Sequence, residues 1–301
     1  MYPSQGGMLE GILRGVKASE DCDIVLSHHQ AEVLLRAHAS RRESVKVSPD
    51  LNLSQVEVRI EESGAVFPVG VCIPWQALRR ILEEPRKCFC VQGVEITEIR
   101  LESPETGLIL ALVPTKGAPT LMVSGFPMHR IKDIDPHRDT RLKIEAIKPV
   151  RGSVLDTATG LGYTAIEAAR TAEYVLTIER DPGVLQIARK NPWSRELFYH
   201  SKIEQRIGDA TELVKEMASG RFDRIIHDPP TLKLAGEMYS GSFYAELCRV
   251  LRRRGKMFHY LGDPASELGS RVYPGVIRRL YEAGFRKVYP VKEAFGVVAL
   301  K

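Results

Sequence analysis

Val154-Leu155-Asp156-Thr157-Ala158-Thr159-Gly160-Leu161-Gly162-Tyr163-Thr164 is the stretch on which the fold turns. An apolar run ends in an acid, turns through small residues and two glycines, and continues into a helical segment. A chain that turns tightly off a strand end brings its backbone close to whatever binds there, and only residues without bulk permit that approach. Gly160 and Gly162 supply it. A glycine pair between strand and helix also occurs as a plain turn, so the neighbouring strands decide. The next one, Val175-Leu176-Thr177-Ile178-Glu179, ends in an acid 17 residues beyond Gly162. In dinucleotide-binding folds a carboxylate at that place accepts both hydroxyls of a ribose. A third strand ends in Gly208-Asp209-Ala210, which puts a second acid on the carboxyl edge where doubly wound sheets bind ligands.

Outward from these motifs, apolar strands alternate with helical segments, the mark of βαβ units and a parallel sheet. Strands are expected at 153–157, 174–178, 204–207, 222–227 and 256–261, and helices at 162–171, 182–190, 211–218 and 242–252. After a last helix at 273–283, segments 285–290 and 295–300 are close enough in sequence to pair antiparallel. The expected architecture is an α/β, Rossmann-like domain over 142–301 with seven strands, five parallel plus a terminal hairpin.

Residues 142–301 resemble a class I S-adenosylmethionine-dependent methyltransferase. Asp156, Gly160 and Gly162 match that family's first motif, with Ala158 where many members have glycine. The resemblance implies that Glu179 holds the ribose, that Asp209 with Ala210 contacts the adenine, and that S-adenosylmethionine is the cofactor. A dinucleotide-dependent dehydrogenase is the structural competitor; it wants a third glycine where this chain has Ala165, and it gives no reason for the hairpin.

The fourth strand runs into Ile226-His227-Asp228-Pro229-Pro230-Thr231. Two prolines in succession have no N–H to continue a ladder and fix a rigid, extended turn, while their carbonyls stay free to accept. With the Asp228 carboxylate beside them they suit an amino group, whose hydrogens go to Asp228 and to the Pro229 carbonyl. Asp228, Pro229 and Pro230 are therefore the expected catalytic residues. The run resembles the Asp/Asn-Pro-Pro-aromatic motif of methyltransferases that act on exocyclic amines of nucleobases, with Thr231 in place of the aromatic. The bland alternative is a loop that only shapes the cofactor pocket. His227 reads either as a substrate contact or as a satisfied core histidine. No cysteine follows Pro230, so the cytosine-carbon type of nucleophile is not expected, and no cluster points to a metal.

Residues 1–125 read as a small α+β or β-rich accessory domain for substrate. Strands are expected at 55–61, 65–73, 88–92, 108–113 and 121–124, and helices at 29–39 and 74–84. Segment 126–141 is a linker or a lid over the cofactor, in which the Thr140 hydroxyl, or a cation such as Lys143, is placed to meet the methionine carboxylate.

Composition sets the outer bounds. With 301 residues, 44% hydrophobic and 27% charged, the chain buries real cores and is neither disordered nor membrane-spanning. The start, Met1-Tyr2-Pro3-Ser4-Gln5-Gly6-Gly7, carries no secretory pattern, and a cytoplasmic location is expected. The net charge of +5 is uneven: residues 1–150 hold 19 Lys+Arg against 20 Asp+Glu, residues 151–301 hold 24 against 18. Its densest cluster, Arg249, Arg252, Arg253, Arg254 and Lys256, surrounds a helix end with Gly255 at the turn, a structural placement. Five cysteines with no repeated spacing argue against a disulfide framework, and Cys88 and Cys90 read as small buried hydrophobes. Together these readings point to methyl transfer to an amine nitrogen, with a tRNA or rRNA base as first candidate. An aminopropyltransferase or another small-amine transferase of the same fold is the alternative, to which Gly241-Ser242-Phe243-Tyr244-Ala245-Glu246-Leu247 bears a faint likeness. RNA or a small amine is thus the expected partner, no membrane is, and the pattern assigns no oligomeric state.

Overall fold

The computed structural model describes residues 22–232 and 234–301, so the reading of the first seven residues lies outside the described residues. The first unit contains β1 (Ile24–Leu26), α1 (His28–Ala39), β2 (Ser44–Val47), β3 (Val56–Ile60), β4 (Gly64–Val66), β5 (Cys72–Pro74), α2 (Trp75–Leu82), β6 (Phe89–Gln92) and β7 (Glu95–Glu98). Its strands form two antiparallel sheets, β1-β6-β7 and β2-β3-β4-β5. They enclose an apolar cluster of Leu34, Val58, Phe67, Leu78 and their neighbours. Where one strand was expected over 65–73 there are two, β4 and β5. Pro68 interrupts the run, and Gly70 at φ 82° turns the chain back.

β8 (Arg100–Glu102), β9 (Ile109–Val113), β10 (Thr120–Val123) and β11 (Phe126–Pro127) form a third antiparallel sheet in the order β11-β10-β9-β8. Its apolar side, including Leu110, Leu112 and Leu121, joins one continuous core with Val154, Ile166, Val184 and Ile187 of the following domain.

That domain contains α3 (Pro136–Ala146), β12 (Ser153–Asp156), α4 (Tyr163–Ala169), β13 (Tyr174–Glu179), α5 (Pro182–Arg189), α6 (Arg195–Tyr199), β14 (Ile203–Ile207), α7 (Ala210–Leu213), β15 (Phe222–His227), α8 (Gly241–Val250), β16 (Leu251–Tyr260), α9 (Glu267–Glu282), β17 (Lys287–Val291) and β18 (Gly296–Leu300). The seven strands lie in the order β14-β13-β12-β15-β16-β18-β17. The first five are parallel, and β18 pairs antiparallel with both β16 and β17. The α/β expectation of five parallel strands and a hairpin is what the chain adopts. One face packs on the shared core; the other covers Leu176, Ile225, Phe243, Leu247 and Val276.

Three features differ from expectation. α9 starts at Glu267, where Ser266 caps it by accepting from Gly269 N, and it carries Pro274 in its interior. β16 starts at Leu251, directly after α8. Its register against β15 slips between Phe222 and Arg224, and Arg254, not Gly255, takes the left-handed backbone at φ 64°. Cys90 is no free buried hydrophobe: it is bonded to Cys22, 68 residues away. Pairing of β1 with β6 brings the two together, a juxtaposition that spacing along the chain does not announce. Cys88 is free and buried. Among the described residues no helix is long and apolar enough to cross a membrane.

Candidate functional site

Parallel pairing carries the four motif acids to one edge. Asp156 ends β12, Glu179 ends the adjacent β13, Asp209 follows β14 on the far side, and Asp228 follows β15 on the near side. Tyr260 ends β16 and extends the row. A cleft of about 370 Å³ between residues 22–53 and 189–199 lies beside the other end of α5 and is lined by none of these groups.

The glycine turn closes by Gly162 N donating to the Thr159 carbonyl at 2.8 Å. Gly160 and Gly162 have φ of 55° and 79°, left-handed values that cost a residue with a side chain ~1–2 kcal/mol. A Cβ on Gly160 would stand 2.5 Å from Met128 Sδ, and one on Gly162 would stand 2.6 Å from a Leu197 methyl. Met128, just after β11, thus rests on the turn, in the segment read as a lid. Half-buried Glu179 accepts from Gly160 N at 2.9 Å and from Asp181 N at 3.0 Å. Burial pushes its carboxyl up to about 7 against those two donors. Asp156 is fully buried; its Oδ2 accepts from Thr164 at 2.8 Å and Thr177 at 3.2 Å, while Oδ1 has no partner. Burial pushes this carboxyl also to about 7. Ala158 lies in the turn between them. Asp209 caps α7, its Oδ1 accepting from Thr211 N at 2.8 Å and Thr211 Oγ1 at 2.7 Å, and Ala210 is buried behind it. The side-chain-free cradle, the edge carboxylates and the orphaned Asp156 oxygen fit a nucleoside carrying an amino acid tail, as S-adenosylmethionine does.

The Asp228 loop is braced from both sides. Tyr239, on the turn at 236–239, donates to the Pro230 carbonyl at 3.1 Å, and Pro229 is buried. Asp228 itself keeps 18% of its side chain exposed, and its Oδ2 accepts from Lys143 Nζ at 2.6 Å. Lys143, 1% exposed, also lies 3.0 Å from Asp139 Oδ2 and 4.5 Å from the Tyr260 ring centroid. Asp139 in turn pairs with Arg130, whose guanidinium sits 4.2 Å over Phe295. Burial alone would lower the Lys143 ammonium, but the carboxylates of Asp228 and Asp139 outweigh it and hold the group charged. Burial raises Asp228, and Lys143 opposes the rise.

Sequence reading had placed Lys143 against the methionine carboxylate, and the geometry gives it to Asp228 and Asp139 instead. Asp139, Arg130, Tyr239 and Tyr260 were not picked out. The one signal available for the first two was the density of alternating charge through 129–143, which reads equally well as a polar linker. Thr140 is corrected too: it is fully buried, and its hydroxyl donates to the Pro136 carbonyl one turn back at 2.9 Å. Segment 126–141 is no free linker either, since β11 extends the β8–β11 sheet and α3 begins at Pro136. His227 is a satisfied core histidine. Its Nε2 donates to the Met238 carbonyl at 2.9 Å, so Nδ1 accepts from Thr157 at 2.7 Å, and burial lowers the ring to about 4. The basic cluster is structural where it has partners: Arg249 bonds the Met217 and Val214 carbonyls, Arg252 forks onto Asp223, and Lys256 reaches the Lys148 carbonyl.

The uncharacterized protein MJ1233 of Methanocaldococcus jannaschii is 38% identical to this chain over 268 residues, covering 87% of this chain and 91% of that protein. The chain belongs to the MJ1233 family. Residues 139–245 also match the family model described as Conserved hypothetical protein 95, a span that starts at Asp139 and includes all four edge acids. Among solved structures, spermidine synthase from Thermotoga maritima is similar at a TM-score of 0.53 and 18% identity, over 68% of this chain and 74% of that one. A spermidine synthase in complex with the transition state analogue AdoDATO gives the same score and identity over 68% and 73%. At such identity the likeness concerns the fold alone, and this chain thus shares the α/β fold of the spermidine synthases.

Proposed function

We propose that this chain is an S-adenosylmethionine-dependent methyltransferase acting on an uncharged amine nitrogen, with a tRNA or rRNA base as the first candidate acceptor. The observation that carries this reading is Asp228: a carboxylate with one open face, beside a proline-fixed turn, next to the glycine loop on the same sheet edge. The cofactor supplies an electrophilic methyl on a sulfonium. Gly160 and Gly162 admit it closely, Glu179 accepts its ribose hydroxyls, and Asp209 with Ala210 borders the adenine. Asp228 accepts a hydrogen of the acceptor amine and so aims the nitrogen lone pair along the line of transfer. Such alignment in a site shielded from water supplies most of the acceleration, with little acid–base work required. On this reading residues up to 125 present the acceptor and segment 126–141, through Met128, covers the cofactor.

A second reading, aminopropyl transfer to a polyamine, has the fold likeness to spermidine synthases in its favour. It would want surplus negative charge to hold a polycation. Here Arg130, Asp139, Lys143 and Asp228 alternate in sign and sum to zero. Methyl-labelled S-adenosylmethionine offered to RNA, protein and polyamine pools separates the two; label in RNA is expected, and label confined to a small amine would sink the first reading. Asp228→Ala is expected to abolish transfer, a loss of ~100-fold or more where orientation is removed, while calorimetric cofactor affinity stays near parental. Loss of cofactor affinity alone would reassign Asp228.

A further inference from the structure

We propose that Lys143 is the positioning residue of the acceptor subsite: its ammonium takes one oxygen of Asp228 and leaves the other turned to an uncharged amine. This rests on Asp228 being the carboxylate that holds the acceptor. The geometry is specific. Lys143 projects from α3 into a site where its Nζ is almost wholly withdrawn from water, 2.6 Å from Asp228 Oδ2 and 3.0 Å from Asp139 Oδ2. Among the described residues nothing bonds Asp228 Oδ1, and Asp228 is the exposed end of the chain of charges that begins at Arg130. A buried ion is held in place when its partners satisfy it, and its removal leaves the partner charge uncompensated. Lys143 therefore acts on Asp228 in two ways at once: it takes one oxygen and leaves the other free, and it opposes the rise that burial imposes on the carboxyl.

Substrate charge follows from the same arrangement. An alkylammonium brings a positive charge into a subsite whose negative charge is already matched, and it has no lone pair to be methylated. A neutral amine, such as the exocyclic amine of a nucleobase, donates to Oδ1 and keeps its lone pair. The groups that face Asp228 are Lys143 and Asp139 from α3, Arg130 from the loop after β11, Asp156 from β12, Tyr239 from the 236–239 turn and Tyr260 from β16. Lys143 is the one cation of that set in contact with the carboxylate.

The test uses the full chain with Lys143→Met, with Lys143→Arg, and with the charge-balanced pair Lys143→Met and Asp139→Asn, which keeps the fold testable when the single change does not. The Asp228 carboxyl is followed by carbon-13 NMR in aspartate-labelled protein, its signal assigned by its loss in Asp228→Asn. Transfer of labelled methyl to pooled tRNA and rRNA is followed against pH. In Lys143→Met, and in the double variant measured against Asp139→Asn alone, both the Asp228 titration and the acid limb of transfer are expected to rise by ~1–3 pH units, with kcat affected more than the KM for the cofactor. Lys143→Arg should restore part of the shift. A folded double variant in which Asp228 titrates as it does in Asp139→Asn alone overturns the proposal. So does parental protein that binds spermidine as well as Lys143→Met does. If the NMR shift appears but the parent methylates no RNA, the coupling stands and the reading of the acceptor as an RNA base is what fails.

Discussion

Glu179 is a residue whose ionisation and whose ligand pull in opposite directions. Burial raises its carboxyl to about 7, and Asp156 behind it behaves alike. A raised acid stabilises the fold below its unfolded value, and that contribution is lost as pH rises through 7. The ribose hydroxyls and the ammonium of S-adenosylmethionine prefer the ionised forms. Cofactor affinity measured by calorimetry is therefore expected to strengthen from pH 6 to 8, by up to ~10-fold per unit for one linked proton. Glu179→Gln should weaken binding by ~10–100-fold, the value of hydrogen bonds to a charged group, and leave only the pH dependence owed to Asp156. Pre-ionised Glu179 would show as a flat profile. Gly160→Val is expected to lose cofactor binding with the Asp228 loop intact, because φ 55° strains a β-branched residue and its Cβ meets Met128 Sδ. Retained binding would remove Gly160 from the cofactor surface.

Helix α5 shows what an element reveals in its sequence and what it hides. Asp181-Pro182 announces its start, an N-cap followed by proline in the first turn, and the helix begins there with Asp181 accepting from Gly183 N at 2.8 Å. The same carboxylate accepts from Ser103 at 2.7 Å and Thr106 at 2.8 Å, which ties the β8–β11 sheet to the Rossmann-like domain. No local pattern signals that, because the partners lie 75 or more residues away. The same division holds elsewhere. β12, β13, β15 and the terminal hairpin were legible from apolar runs bounded by turns, and the edge acids from their distance to the glycines. Lys143 was legible as a site cation, but its partners were not, because Asp228 lies 85 residues away and meets it only once α3 is packed against β16. The Cys22–Cys90 bond and the early start of α9 escaped for related reasons, one being a long-range pairing and the other a helix that tolerates an interior proline. Asp181→Ala is expected to cost ~1–2 kcal/mol for the cap alone and more with the two hydroxyls left unpaired. A urea midpoint unchanged in this variant would mean that the two sheets are joined by apolar contact only.

At the scale of the whole molecule, part of the positive excess of residues 151–301 is spent on backbone carbonyls, while Arg253, Arg254, Arg271 and Arg278 stay exposed. Lys202 bonds the Ala169 and Ala172 carbonyls at the end of α4, Lys301 bonds those of Arg249 and Leu251, and Arg224 bonds that of Ile147. Net charge therefore says little about an RNA partner, and the titrating groups that matter for global behaviour are buried ones of two opposed kinds. Burial lowers His129 to about 3 and His227 to about 4, and it drives His259 further below the ordinary 6.5. These rings contribute stability that is present above 6.5 and lost as pH falls toward 4, since the unfolded chain takes up the protons that the folded one refuses. Glu179 works the other way over nearly the same window. Comparing each variant with the parent isolates the two effects: from pH 7 down to 4.5, the parent should gain on Glu179→Gln and lose on His227→Asn. Each difference should change by at most ~1.4 kcal/mol per pH unit, the value of one linked proton. Urea unfolding across that range reads both slopes. A flat difference for either variant would mean that its group titrates at its ordinary value in the folded chain.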